Sequence, residues 1–319
     1  MLVAQSNGER IDSQVATDAE AVYAELYSNP TPENKYKLAQ LVTYAVEQRM
    51  PQESNWRSYV ADEKTIGDLD QAAFRVRKEG VKAFLQANGS TTARTRVAHG
   101  QIVLDTVAVS ARPVVSLLDM RSGKIKMSDL VVDATREMAR VEDKYIQNVL
   151  LQAASNWVAP FYAEGAGIVK TTLNPMIQHW MRTGGCALVG DIAVIQKLAE
   201  QTGFTAATAT QQYSPSIIDE FHKTGRIGSY NGASVIQFVN PYESDGVTPV
   251  MSKKALFILP IGVRAEDRPL KVVKRGGLLT VESTNIDDLT YEIRMDQMFG
   301  AGIAMGNYPE LGVYIDSEE

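Results

Sequence analysis

The hydrophobic pattern is most regular between Ser128 and Ser155, where apolar residues recur at steps of three and four, as on one face of a helix. The residues with this spacing are Val131, Ala134, Met138, Val141, Tyr145 and Val149. Ser128 and Asp129 offer N-cap side chains, and no glycine or proline interrupts the pattern. We therefore predict a helix about 40 Å long. Its other side, which carries Glu142 and Asp143, is predicted to face solvent or a partner.

Residues 1–88 show weaker helical patterns. We predict helices over Asp18–Tyr27, from Pro32 to Met50, and from Ile66 to Ala87; Pro32 suits the first position of a helix, with Thr31 before it. Large apolar residues are too sparse here for an independent domain. This stretch is interpreted as a helical arm that packs on something else.

Residues 88–127 are rich in Val, Ile and Thr with partial alternation, which is typical of strands. Pro113 can stand only at an edge or a break of a sheet. A long two-stranded ribbon is not stable alone in water. The ribbon is therefore predicted to lie against a neighbouring chain.

The pattern of strands and helices over residues 157–265 predicts a compact α/β domain of about 100 residues. After an irregular stretch from Trp157 to Thr183, a short buried strand begins at Cys186, and Asp191 caps a helix that ends at Gly203. The polar loop 203–213 leads to a helix over Ser214–Gly225. Two further strands are predicted over Ala233–Val239 and Ala255–Pro260.

The C-terminal part returns to long strands. Leu289, Tyr291, Ile293 and Met295 alternate with polar residues, which indicates a half-buried strand, and Leu278–Ser283 is its predicted partner. Leu311–Ile315 forms the last strand. The strands within 278–297 are predicted to pack on the apolar face of the long helix.

Composition excludes several classes of protein. The 319 residues carry 32 basic and 38 acidic side chains, so the net charge of −6 lacks the clustered positive charge that nucleic-acid binding needs. Cys186 is the only cysteine, so no intrachain disulfide can form, which suits a reducing cytoplasm. The N-terminal residues do not resemble a signal peptide, and no apolar run approaches the length of a membrane span.

The sequence offers little for catalysis. His99, His179 and His222 have no other metal-ligand residue at a suitable spacing; Asp219 lies one turn before His222, but this pair is more typical of a surface contact. Cys186 could be a nucleophile, yet its place in an apolar strand favours a core residue.

A glycine pattern and an adjacent pair of carboxylates are two further candidate sites. Gly300, Gly302 and Gly306 depart from the spacing of a dinucleotide-binding loop. Adjacent carboxylates such as Glu142 and Asp143 point in different directions on a helix, which favours pairing with Arg or Lys of another subunit. We therefore predict no enzyme activity and no catalytic, cofactor-binding or metal-binding residues.

The succession of elements over residues 88–319 resembles the major capsid proteins of tailed bacteriophages, which have the Hong Kong 97 fold. Three segments carry the resemblance. The helix sequence ARVEDKYI from Ala139 resembles the spine helix of phage capsids and of the related encapsulins. The stretches ALVGDIAVIQKLAEQTGF and TGRIGSYNGASVIQFVN resemble the axial domain, and YEIRMDQMFGAGIAMGNYPELGVYID resembles the closing strands of the peripheral domain.

The resemblance implies an α+β fold with four parts. These are an N-terminal arm (1–88), an extended β-ribbon loop (88–127), a peripheral domain with the spine helix and a β-sheet (128–156 and 266–319), and an inserted axial α/β domain (157–265). Copies of the axial domain would meet at the centres of pentamers and hexamers, through the loop 203–213.

The implied function is mechanical: many copies close into an icosahedral shell around the double-stranded DNA of a tailed bacteriophage, without recognising its sequence. The expected partners are further copies of the chain, a separate scaffolding protein, a portal and decoration proteins. The expected location is the virion capsid, assembled in the bacterial cytoplasm, with no membrane involved. The alternatives are an encapsulin-type compartment that encloses a cargo enzyme and, more distantly, a soluble α/β enzyme.

Some relatives cross-link a lysine of the extended loop to an asparagine of the peripheral domain. Residues 88–112 contain Arg94, Arg96 and Arg112 but no lysine, and Lys124 and Lys126 lie only at the base of the predicted ribbon. We therefore predict that boiled particles run as intact monomer on a denaturing gel. A ladder of covalent multimers would contradict this prediction.

Overall fold

The computed structural model describes residues 31–79, 98–122, 124–182, 184–199, 228–262, 264–285, 287–305 and 309–318. The helices predicted over Asp18–Tyr27 and Ser214–Gly225, and the loop 203–213, lie outside these residues. The helices in the described ranges are α1 (Pro32–Glu53), α2 (Trp56–Val60), α3 (Leu117–Arg121), α4 (Met127–Ala154), α5 (Lys170–Met181) and α6 (Ile192–Ala199).

Two sheets and one two-stranded ribbon contain the strands of the described ranges. These strands are β1 (Ala61–Ile66), β2 (Ala73–Glu79), β3 (Ala98–Val103), β4 (Val107–Ala111), β5 (Val114–Ser116), β6 (Tyr162–Gly165), β7 (Cys186–Gly190), β8 (Ser229–Tyr230), β9 (Ala233–Gln237), β10 (Ala255–Pro260), β11 (Leu270–Asn285), β12 (Thr290–Ile303) and β13 (Gly312–Asp316).

The first sheet is built around a long antiparallel hairpin of β11 and β12, which pair from Leu270↔Ile303 to Asn285↔Thr290. β1 runs parallel beside β11, while β4 and β5 pair with successive parts of β12. Pro113 lies between β4 and β5, at a break in the edge of the sheet, as the sequence predicts. The alternating pattern of the C-terminal strands is confirmed, because Tyr291, Ile293 and Met295 are buried on one face of β12.

The long helix packs on that buried face, as predicted, and belongs to the same hydrophobic core. It begins at Met127, so Ser128 and Asp129 lie in its first turn and the predicted N-cap is wrong. After Met138 the buried side advances in steps of four through Glu142, Ile146 and Leu150, and leaves Val141 half exposed. The predicted solvent-facing position of Glu142 and Asp143 is therefore also wrong.

The residues before the ribbon fold differently from the predicted helical arm. Thr31 caps α1 through a hydrogen bond from the backbone N–H of Asn34 (3.2 Å), as predicted, but α1 continues past Met50 to Glu53. It packs on α4 and β11. The helix predicted over Ile66–Ala87 is wrong, because β1 and β2 occupy the described part of that range.

The ribbon is formed by β2 and β3, so it begins within the residues assigned to the arm. Phe74 and Val76 alternate with exposed or half-buried residues and are buried on the inner side of the ribbon, which is the period of a strand. The boundary predicted at residue 88 therefore does not separate a helical arm from a ribbon. The division of the chain into four parts otherwise stays a prediction.

The second sheet has the strand order β6-β13-β10-β7-β9-β8, with a separate hydrophobic cluster that includes α5 and α6. The strands predicted near Cys186, Ala233 and Ala255 are confirmed, and Asp191 accepts a hydrogen bond from Ala193 N–H at the start of α6. The irregular structure predicted before Thr183 is wrong, because α5 forms with Pro175 inside it. Its buried residues Leu173, Met176, Ile177 and Trp180 have helical spacing, which stabilises the helix despite the lost N–H donor.

Close packing of β12 against the segment before β4 requires glycine at position 300. A Cβ atom there would lie 2.5 Å from the carbonyl oxygen of Asp105, a backbone atom that cannot turn away. We predict that Gly300→Ala lowers the free energy of unfolding by about 1–3 kcal/mol, measured by chemical denaturation. At Gly302 the overlap is with the flexible end of the Leu104 side chain, so Gly302→Ala serves as the matched control and should cost less. Equal losses would contradict the prediction.

Candidate functional site: a buried charge cluster and two open surfaces

Three ionised side chains meet in the core between α2 and α4. The Arg57 guanidinium donates from Nη1 to Glu142 Oε2 at 2.5 Å and from Nε to Asp143 Oδ1 at 2.6 Å. Its Nη2 also donates to the carbonyl oxygen of Ala139 at 3.1 Å. The exposed fractions of Arg57, Glu142 and Asp143 are 3%, 0% and 6%. One guanidinium thus binds both members of the adjacent acidic pair.

Neighbouring groups complete this cluster. Ser54 Oγ donates to Asp143 Oδ2 at 2.8 Å, and Lys274 Nζ of β11 lies 3.7 Å from Glu142 Oε2. The Arg57 guanidinium carbon stands 5.5 Å from the ring centre of Phe299 on β12, which is a cation–π distance. Two positive charges therefore balance two negative ones, and the cluster joins α2, α4, β11 and β12.

The charge state of Arg57 is fixed by its partners. Burial alone lowers the pKa of Arg57, but the charges of Asp143 and Glu142 and their hydrogen bonds outweigh it and raise the pKa above its usual value. A permanently charged guanidinium bound to two carboxylates neither accepts nor releases a proton. The arrangement positions structural elements and offers no acid–base chemistry.

This cluster corrects the predicted role of the acidic pair. Glu142 and Asp143 pair within their own chain rather than with another subunit. Sequence reasoning missed Arg57, which is 85 residues from Glu142 along the chain and lies in a five-residue helix without a motif. The only available signal was the regular spacing of Met138, Glu142 and Ile146, which places Glu142 within the apolar face.

A second buried pair lies where the ribbon leaves the first sheet. Asp62 of β1 and Lys271 of β11 are directly opposite in register, and Lys271 Nζ donates to Asp62 Oδ2 at 2.8 Å. The same ammonium group donates to the carbonyl oxygen of Glu266 at 2.7 Å and stands 5.7 Å from the ring centre of Phe74 on β2. The base of the ribbon is therefore fixed to the sheet by both charge and packing.

The other candidate residues do not assemble a site. His99 is exposed on β3, and His179 makes edge contacts with the rings of Phe161 and Trp180. Cys186 is buried, and burial raises the pKa of its thiol to about 11, which disfavours a nucleophile at neutral pH. His222, Asp219 and Gly306 lie outside the described residues, whereas Gly300 and Gly302 belong to β12 rather than to a loop.

Within the described ranges, no group of three or more His, Cys, Asp or Glu residues is placed to hold a metal ion. Among the helices of the same ranges, none is long and apolar enough to cross a membrane.

Among the described residues, the outer side of the ribbon and the outer face of the β11–β12 hairpin are exposed on the single chain. The outer side of the ribbon exposes Arg75, Gln101 and Val103. The outer face of the β11–β12 hairpin, with its neighbour β5, exposes Leu279, Val281 and Val114, each more than half accessible, beside the ion pair of Arg112 and Glu292. Apolar residues on an open sheet face are typical of a surface that another molecule covers.

Comparison with protein families gives one match over nearly the whole chain. Residues 7–314 match the family described as "SPbeta prophage-derived putative capsid protein YonB". Curated protein sequences contain no match to this chain.

Solved structures with the same architecture are distant in sequence. The mature capsid of bacteriophage PhiM1 is 13% identical with a TM-score of 0.53, covering 81% of this chain and 85% of that chain. The capsid of cyanophage P-SCSP1u is 10% identical with a TM-score of 0.53, covering 81% and 87%. A virus-like particle from Pyrococcus furiosus is 14% identical with a TM-score of 0.50, covering 86% and 98%. The fold predicted from the sequence, the α+β Hong Kong 97 capsid fold, is confirmed.

We predict that removing the Arg57 guanidinium greatly lowers the stability of the chain. Arg57→Met should lower the free energy of unfolding of the unassembled chain by about 3–5 kcal/mol at neutral pH, because two buried carboxylates lose their main partner.

The matched control is Arg140→Met, which breaks only the exposed pair with Glu137 and should cost about 1 kcal/mol or less. Adding Glu142→Gln and Asp143→Asn to Arg57→Met should restore part of the stability. If Arg57→Met is as stable as Arg140→Met, the cluster does not hold the elements together.

Proposed function

The chain belongs to the prophage-derived capsid protein family YonB, and from this we propose that it is the major capsid protein of a tailed bacteriophage. Many copies, arranged as pentamers and hexamers, close into an icosahedral shell that encloses double-stranded DNA. The observation that carries this proposal is the family match over residues 7–314, and the capsid fold of the described chain supports it.

The two open surfaces give the proposal a physical basis. The ribbon of β2 and β3 is a two-stranded sheet of its own, and the outer face of the β11–β12 hairpin is an open sheet face with apolar residues. In the shell, the ribbon lies across a neighbouring subunit and covers apolar surface there. The peripheral domain (128–156 and 266–319) and the axial domain (157–265) then form the outer and central contacts of each pentamer or hexamer. Most of the stability of the shell comes from area buried between subunits.

The other proposed partners follow from the function of the shell, which is to contain DNA. The net charge of −6 fits a shell that encloses DNA without gripping it. We propose a separate scaffolding protein, a portal and decoration proteins as partners, and assembly in the bacterial cytoplasm. The role is structural, without a catalytic step.

An encapsulin-type compartment, the alternative that the sequence resemblance leaves open, is the second candidate. A particle that is not described as a phage capsid, the virus-like particle from Pyrococcus furiosus, matches the fold over 98% of its own chain. The neighbouring genes separate the two functions. Portal, terminase and protease genes indicate a phage, whereas a gene for a cargo enzyme indicates a compartment.

The proposal is tested by assembly of the purified full-length chain, followed by size-exclusion chromatography and negative-stain microscopy. We expect closed shells or free pentamers and hexamers. A chain that stays monomeric or dimeric under all conditions would overturn the shell function.

The ribbon is tested separately by a variant in which a two-residue turn replaces residues 80–97. It joins Glu79 to Ala98, which are opposite each other in register, so both strands are kept. We expect a folded chain that no longer closes into shells. A control with a Gly/Ser segment of the original length separates chain length from side-chain contacts and should also fail. Normal shells from both variants would contradict the role of the ribbon.

A further inference from the structure

The contact between α1 and the β11–β12 hairpin includes polar groups beside its apolar core. Thr43 Oγ1 donates to Thr280 Oγ1 at 2.8 Å, and the backbone N–H of Leu278 donates to Glu47 Oε1 at 3.0 Å. Side chains two residues apart in a strand share a face, so Glu282 follows Leu278 and Thr280 beneath α1. Lys35, nearer the start of α1, is close enough for its charge to act on Glu282.

The carboxylate of Glu282 is less accessible to solvent than an ordinary surface carboxylate. Both of its oxygens are shielded from solvent, and neither accepts a hydrogen bond of normal geometry from the described residues. Burial raises the pKa of Glu282, and the Tyr291 hydroxyl and the charge of Lys35 lower it by a smaller amount. A carboxylate at a helix–sheet contact whose two oxygens are shielded from water is costly when it is ionised.

We propose that Glu282 is a proton-operated latch that controls how firmly α1 packs on the β11–β12 hairpin. With Glu282 protonated, the N-terminal half of α1 packs closely on the hairpin. With Glu282 ionised, that half loosens, while the contacts of Thr43 and Glu47 keep the C-terminal half in place. The latch does not rest on the shell function, so either can fail without the other.

The direction of the pH effect follows from proton linkage. A raised pKa means that the packed state of α1 binds the proton more tightly than the loosened state. The contribution of Glu282 to packing is therefore complete below the ordinary pKa of glutamate and is lost as the pH rises through the raised value. The titratable groups that face Glu282 in the described chain are Lys35 from α1 and Tyr291 from β12.

The pKa of Asp316, in the last strand, is shifted in the opposite direction to that of Glu282, so its titration cannot produce the same pH dependence. Burial raises the pKa of Asp316, but hydrogen bonds from Lys197 and from the backbone N–H groups of Glu318 and Gly167 outweigh burial and lower it. Its contribution to stability is lost only as the pH falls through that lowered value. A loosening of α1 on raising the pH is therefore not an effect of Asp316.

The test is hydrogen exchange, followed by mass spectrometry, on the full-length unassembled chain from about pH 5 to about pH 8, corrected for intrinsic exchange rates. We expect protection of α1 relative to α4 to fall as the pH rises, by up to about tenfold for each unit by which the pKa is raised. Glu282→Gln should remove the fall. Constant protection in the wild type, or the same fall in Glu282→Gln, would overturn the proposal.

Two further variants keep the test decisive if Glu282→Gln folds poorly. Lys35→Met removes a charge that lowers the pKa, so the midpoint of the fall should move to higher pH. Thr280→Val removes the neighbouring hydrogen bond and should weaken α1 at every pH while the fall remains. An unchanged midpoint in Lys35→Met, or loss of the fall in Thr280→Val, would contradict the latch.

Discussion

The charged hydrogen bonds from Arg57 to Glu142 and Asp143 are the interaction on which the rest of the structure depends. A buried carboxylate without a cation costs several kcal/mol, and the long helix carries two of them side by side within its buried surface. Where that helix packs on the sheet, the guanidinium from α2 and the ammonium group of Lys274 from β11 compensate these charges. The segment that begins with α1 is therefore an integral layer of the fold, even though its sequence looks like a polar arm.

This arrangement separates the contacts made within a subunit from those left for others. The inner face of the β11–β12 hairpin is covered by α4 and α1, and the buried cations find their partners inside the chain. The outer face and the outer side of the ribbon keep apolar residues that the described chain does not cover. A subunit whose costly charges are already satisfied can bind neighbours through apolar area and surface pairs, without desolvating a new buried charge at each contact.

Periodicity made much of the fold predictable. The long helix and the alternating strand over Tyr291–Met295 show their period in the sequence, because one side of each is apolar. The strands near Cys186 and Ala255 show instead as short, continuous apolar runs that are buried on both faces. The helix predicted over Ile66–Ala87 failed because Leu69, Ala73 and Val76 recur at steps of four and three, and only pairing with β3 shows that Ala73 and Val76 belong to a strand. The charge cluster was not predictable, since pairing rules act over three or four residues of a helix and carry no information about a partner 85 residues away.

A buried ion cluster contributes a defined geometry more than stability, and this explains why a shell subunit has one in its core. Replacing a buried ion pair with apolar residues is often neutral or stabilising, so stability alone does not explain the cluster. Arg57 must meet two carboxylates and the carbonyl oxygen of Ala139 at once, which fixes how α2 lies across α4 in a way that apolar packing alone would not. A closed shell repeats each contact many times, so a small error in the angle between elements prevents closure. We infer that the cluster is retained because it defines one geometry, while the contacts between subunits supply most of the stability.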